Sequence, residues 1–262
     1  APRTIVGTIL PPKYWHIEQL ISISAPDDKT LLTISGLFMA ISSDFLIKAL
    51  MASNLYESTL TKLPYAELGQ QALNRVLLIS HRNSEYDDLF KQNYIPCHFS
   101  WSDSKSGLRT EAEMIEGIFS LDYVPLNQLE RRQLMLELDV LVARTLGLSE
   151  DELLTIYGDF ELFEKNESTT YYDAKGDVVF TKAFGFEKTG YLNEKGQSLS
   201  LSHWGEILEN PPEYLECGAI FEGQPKEITR KFLGPYKTFD RKEDYKRAWA
   251  HFEKLDQEGL LQ

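Results

Sequence analysis

"NQLERRQLMLELDVLVARTLGLSEDELLTIYGDF" (residues 127–160) carries the strongest local signals in the chain, and the architecture is read outward from it. Asn127 and Glu130 stand at the N-cap and N3 spacing of a helix start. Leu134, Leu138, Leu141 and Val142 then recur as an apolar stripe, and Gly147 supplies the stop that a left-handed C-terminal residue needs. Ser149 and Glu152 repeat the capping spacing at once. Two helices joined by a short link, an αα-hairpin, follow.

Helical spacing is also found upstream. In "KTLLTISGLFMAISSDFLIKALM" (29–51), Leu37, Ala40, Ile41, Phe45 and Ala49 share one broad face, which predicts a single long helix. "LGQQALNRVLLISHRNSEYDDLFKQ" resumes the spacing through Leu73, Val76 and Leu77, then Tyr86, Leu89 and Phe90. Between these, "NLYESTLTKLP" (54–64) reads as extended. "RTIVGTILPP" (3–12) reads as a strand closed by two prolines, and a second β-branched run follows the turn at residues 11–16. "HFSWSDSKSGLRTE" (98–111) is a polar, Ser-rich exposed loop.

Toward the carboxy terminus the pattern changes. "TYYDAKGDVVFT" (170–181) alternates around Ala174-Lys175-Gly176 and predicts a β-hairpin. Tyr245, Ala248, Trp249 and Phe252 stand at i, i+3, i+4 and i+7, giving an amphipathic terminal helix that docks on the body of the protein. The expectation is an α+β protein: a mixed α/β platform over 1–125, then over 126–262 a helical hairpin, a small β-containing part and the terminal helix.

The 262 residues carry 27 Lys and Arg against 40 Asp and Glu, a net charge of −13. Ten of each sign lie in residues 1–110, leaving 17 against 30 in residues 111–262. A generic nucleic-acid binder is argued against by the total, but phosphate responds to local basic patches, and the neutral first part keeps that option. No apolar run reaches the roughly 20 residues of a membrane helix and no signal-peptide pattern opens the chain, so the expected location is cytoplasmic, without membrane contact. Cys97 and Cys217 lack metal-ligand spacing and fit a reduced compartment, although two thiols could pair. A chain that begins Ala1-Pro2-Arg3, inside a strand-like run, is expected to belong to a longer protein.

The sequence holds no phosphate-binding loop, no nucleophile elbow, no His-Glu-x-x-His, and no glycine-rich turn for S-adenosylmethionine. His16, His81, His98, His203 and His251 are scattered, and a site needs a constellation. Asn210-Pro211-Pro212 invites comparison with the Asn-Pro-Pro-aromatic loop that grips a flipped adenine in amino-methylating enzymes. Its fourth position is Glu213, with Tyr214 one residue late, so the stacking surface is missing. A Pro-Pro stop after a short helix accounts for the tripeptide.

Five segments in order carry a resemblance: "RTIVGTILPP", "LLTISGLFMAISSDFLIKALMASNLYESTLTKLP", "ERRQLMLELDVLVARTLGLSEDELLTIY", "YYDAKGDVVFT" and "FDRKEDYKRAWAHFEKL". Together they resemble the carboxy-terminal, target-recognition region of large bacterial N6-adenine DNA methyltransferases of the fused restriction–modification type and of related phage-defence systems. The resemblance covers most of the chain and lies in the order of the segments. It implies a non-catalytic specificity module whose partners are double-stranded DNA and the methyltransferase part of its own polypeptide. No cofactor is expected in this segment; S-adenosylmethionine would be held upstream, as would the catalytic loop, which makes Asn210-Pro211-Pro212 a coincidence of composition.

Base-reading residues do not transfer with the resemblance, so candidates come from chemistry alone. Lys13, Tyr14, Trp15 and His16 follow a strand and offer phosphate contact, stacking and hydrogen bonding; a buried aromatic corner is the equal alternative. Asn54 could read adenine bidentately beside Tyr56, or serve as a helix stop. Lys105 and Arg109 could touch phosphates from the Ser-rich loop, or that loop is simply solvated. An interaction scaffold within the same defence enzyme is the rival function.

Overall fold

The computed structural model describes residues 3, 5–11, 13, 21–50, 56–96, 98–101, 108–119, 127–181, 191–192, 201–219 and 228–261. Among them helices dominate, with a few short antiparallel strands, which is the expected α+β class.

At the centre is α7 (Gln128–Thr145), and its start is as the sequence dictates: the Asn127 side chain accepts from the Glu130 N–H at 2.7 Å. Gly147, at φ 78°, turns the chain, and Ser149 and Glu152 close a capping box on α8 (Glu150–Gly158). Leu134, Leu136, Leu138, Val140 and Val142 are all fully buried. So complete an immersion goes with packing on several sides: α7 lies against α4 (Gln70–Ser80), α1 (Asp28–Met39), α2 (Ile41–Ala49) and the terminal helix α11 (Arg241–Gln257). Tyr245, Ala248 and Phe252 of α11 are buried, as their spacing requires. One hydrophobic core thus draws on residues from Ile9 to Leu255, on both sides of position 126.

The helix expected over 29–51 is replaced by two, α1 and α2. Ala40 is extended (φ −77°, ψ 145°), and α1 and α2 meet at a bend of 62°. The cause is distant in sequence: Asp139 Oδ1 on α7 accepts the Ile41 N–H at 2.8 Å, capping a helix start that has no local side-chain cap. No single described helix is long and apolar enough to cross a membrane; the bent pair α1 and α2 has the composition, and its apolar residues Leu32, Leu37, Met39, Ile41 and Ile47 are buried in the core.

Shorter helices complete the first part: α3 (Glu57–Leu60), α5 (Asp87–Asn93) and α6 (Glu111–Phe119). In α3 the segment expected to be extended makes a single turn. Of the strand expected over 3–10, residues 5–10 pair with no strand among the described residues; the Ile5 N–H is tied instead to the Asp44 side chain.

After α8 comes α9 (Glu161–Ser168), then the expected hairpin of β1 (Tyr171–Tyr172) and β2 (Val178–Phe180). A sheet of β3 (Tyr191–Leu192), β4 (Tyr214–Ala219) and β5 (Ile228–Leu233) is antiparallel, with Leu215 opposite Phe232. Val179, Phe180, Phe232 and Trp204 of α10 (Leu201–Glu209) make a second, smaller core. Asn210 ends α10 and Pro211-Pro212 lead into β4, so the tripeptide is the helix stop that local chemistry indicates.

The hairpin turn docks on the start of α7. The Leu129 N–H donates to the Gly176 carbonyl, and the Val178 N–H to the Gln128 side chain. Gly176 is at φ 85°, and a Cβ there would lie 2.7 Å from the Asn127 Oδ1 that caps α7. Gly176→Ala is therefore expected to cost about 1–3 kcal/mol through backbone strain and a displaced cap. A urea melt checks this, and unchanged stability would mean that the turn and the cap are not coupled.

Candidate nucleic-acid interface

The residues that the sequence nominates for DNA contact divide into those the structure describes and those outside it. Tyr14, Trp15, His16, Asn54 and Lys105 lie outside the described residues, as does Cys97. Lys13 is exposed in a turn at φ 73°, a conformation uncommon for any residue but glycine. Tyr56 stands at the start of α3 and is 63% exposed.

Arg109 has a different place. Its Nε and Nη2 donate to the two carboxylate oxygens of Glu130 at 2.9 and 2.7 Å, and its N–H donates to Glu130 Oε1. Glu130 is fully buried in the first turn of α7. The hydrogen bonds it donates to Glu130 hold the Arg109 guanidinium more firmly protonated than usual, against a partial opposing effect of burial. The Arg109 carbonyl also accepts the Trp101 indole N–H at 3.2 Å. This arginine is an anchor between the segment before α6 and the frame, with its charge neutralised by an internal partner. Nothing local in the sequence announces a pairing with Glu130.

Most described cations of the first part are similarly engaged. Arg3 pairs with Asp44, Lys29 with Glu67, Arg75 with Glu137 and Lys91 with Asp87, while Lys48 donates to the Asp159 carbonyl and sits over the Phe160 ring. Among the described residues of this part, Lys13, Lys62 and Arg82 are exposed and enter no ion pair. Lys62 and Arg82 gave no signal in the sequence, because an exposed cation in a turn has no pattern of its own.

Behind these turns is a buried ionic frame. Glu137 Oε2 accepts from Arg75 Nε and Nη2 at 3.0 and 2.8 Å, and its Oε1 accepts the Ser100 N–H. Arg75 also donates to Gln71 and to the His98 carbonyl. A second group joins α7, α9 and α11. Asp139 Oδ2 accepts from Tyr245 Oη at 2.6 Å and Arg241 Nη2 at 3.0 Å; Glu167 accepts from Arg132 and Arg241; Asp244 accepts from Arg132. Burial opposes ionisation of Glu167, but Arg241 and Arg132 outweigh it and hold its carboxyl below the usual range. Every one of these charges has an opposite partner, which is the condition for burying it.

Small hollows occur among the described residues. One of about 180 Å³ is bordered by Gly69, Gln71, Arg144, Thr145, Asp256 and Leu261; another, of about 80 Å³, lies by Asp173, Lys237 and Phe239. Both are smaller than the roughly 300–1,000 Å³ of a small-molecule pocket. Among the described residues no cluster of His, Cys, Asp and Glu has a metal-binding arrangement. No protein-family model, curated protein or solved structure matches this chain.

Proposed function

We propose that this chain is the DNA sequence-specificity module of an N6-adenine DNA methyltransferase and performs no catalysis itself. Its partners are double-stranded DNA and the methyltransferase unit of the same polypeptide, and S-adenosylmethionine is bound by that unit. The observation that supports this reading is the placement of the candidate contacts. Lys13 and Lys62 sit in turns, Tyr56 at a helix start and Arg82 in the link after α4, all outside the interior of any helix, while the helices of the frame are locked by paired buried charges. A rigid frame presenting variable turns is how a scaffold carries recognition.

In this reading Lys13, Lys62 and Arg82 bind phosphate and set register, and Tyr56 offers a stacking or hydrogen-bonding surface. The excess of carboxylates in residues 111–262 keeps that part off the DNA and suits it to contact with protein. The same excess favours a second reading, a scaffold that holds the methyltransferase against partner subunits.

The test is a map of adenine methylation in host DNA, read for the whole polypeptide and its variants. Combined Lys13→Ala, Lys62→Ala and Arg82→Ala should lower occupancy of one unchanged motif. Each phosphate left unneutralised by these changes should also make the salt dependence of DNA binding shallower, by about one unit of slope. Exchange of the turn around Tyr56 should alter the motif itself. If the motif survives deletion of residues 1–262, specificity resides elsewhere and the scaffold reading replaces this one.

A further inference from the structure

Residues 5–10 show burial at period two. Ile5 and Ile9 are each 5% exposed, whereas Val6 is 83% and Leu10 46% exposed. That alternation is the mark of an extended chain with one face on a core. The segment is firmly held. Arg3 Nε donates to Asp44 at 2.6 Å, the Ile5 N–H donates to Asp44 Oδ1 at 3.0 Å, and the Tyr86 hydroxyl donates to the Ile9 carbonyl at 3.1 Å. Gly7 lies so close to the end of α1 that an added Cβ would stand 2.9 Å from Phe38 Cβ.

In an extended chain the N–H and C=O of one residue point to the same edge, and those of the next residue point to the other. The main-chain groups of this segment that are hydrogen-bonded all belong to odd-numbered residues, the Ile5 N–H and the Ile9 carbonyl. The even edge, formed by Val6, Thr8 and Leu10, makes no main-chain hydrogen bond among the described residues. Proteins usually blunt such an edge with a charge, a proline or a covering element. Between Val6 and Leu10 there is neither charge nor proline, and the exposed side chains are apolar or β-branched.

We propose that this bare edge pairs with a β-strand of the methyltransferase unit joined to the chain, adding one strand to that unit's sheet. The proposal rests on the functional reading above. The chemistry of the edge selects the occupant: alternating bare N–H and C=O groups are matched by another extended backbone, and Val6 and Leu10 ask for apolar neighbours on its face. The small size of the edge selects the source. A five-residue ladder falls well short of the roughly 800 Å² per partner of a stable free complex. A unit in the same polypeptide is present at millimolar effective concentration, so a small contact suffices. Two copies of this chain would meet with the same small area and a charge of −13 each.

Hydrogen exchange of the Val6 and Thr8 amides, compared between residues 1–262 alone and the whole polypeptide, tests the pairing. Exchange should be at least about tenfold slower in the whole polypeptide, the effect of about one net hydrogen bond per amide. Val6→Pro removes an N–H that makes no hydrogen bond among the described residues, in a run whose alternating burial is that of extended chain, so it should leave the melting of residues 1–262 unchanged. In the whole polypeptide the same change should abolish the protection of Thr8. Equal, fast exchange in both proteins overturns the pairing. Slow exchange in the isolated segment that depends on its concentration also overturns it, since a second copy then covers the edge. The methylation map separates the two readings: a motif lost on deletion with no protection at Val6 removes the pairing alone, and protection with an unchanged motif removes the specificity reading alone.

Discussion

Glu137→Ala is expected to destabilise the protein by about 3–5 kcal/mol, because it leaves a fully buried arginine without its counter-charge. Arg75 and Glu137 are both wholly shielded from solvent, and the carboxylate also accepts the Ser100 N–H at 2.6 Å. At this chain length the loss corresponds to a fall in melting temperature of roughly 10 °C. The guanidinium lies over the Phe99 and Phe252 rings, 4.9 and 5.2 Å from their centroids, so removing both partners need not leave a void. Arg75→Met with Glu137→Leu should therefore recover much of the loss, since well-packed apolar replacements of a buried pair are often neutral. Calorimetry on the two single variants and the double variant decides. A double variant as unstable as the sum of the singles would mean that the pair does more than cancel its own burial.

Arg241→Leu should have a comparable effect, about 3–5 kcal/mol at neutral pH, by a route that pH exposes. Arg241 holds Asp139 and Glu167 together, and Asp139 in turn caps α2 and binds Tyr245. In the intact protein the Glu167 pKa is depressed in the folded state, so its contribution to stability is fully present above the unfolded value of about 4.3. It is lost as the pH falls through the lower folded value. Without Arg241 the depression weakens and the carboxylate is buried at greater cost. The gap between intact and variant protein should be widest near pH 7 and should narrow below about pH 4, where Glu167, left with Arg132 alone, takes up a proton. Urea unfolding at three pH values reads this directly; a gap independent of pH would assign the loss to packing rather than charge.

The features legible in the sequence are local ones. Asn127, Gly147, Ser149 and Glu152 fix the ends of α7 and the start of α8 because caps act within four residues. The turn at Gly176 and the apolar face of Tyr245, Ala248 and Phe252 are likewise short-range patterns. Candidate exposed groups such as Lys13 and Tyr56 could be named from residue type and position, and Arg109 could be named but not placed.

The remaining features came from the folded arrangement, because they depend on charges that meet across the molecule. Asp139 breaks the helix expected over 29–51 by capping Ile41 from α7. Glu130, at the N3 position of α7, turns from a local capping role to hold Arg109. Polar residues such as Arg132, Glu137 and Asp139 occupy what a pattern of apolar stripes would assign to a solvated face, and burial is offset there by partners on α4, α9 and α11. Residues 5–10 have strand-forming composition, but a strand also needs a neighbour, and among the described residues none pairs with this segment.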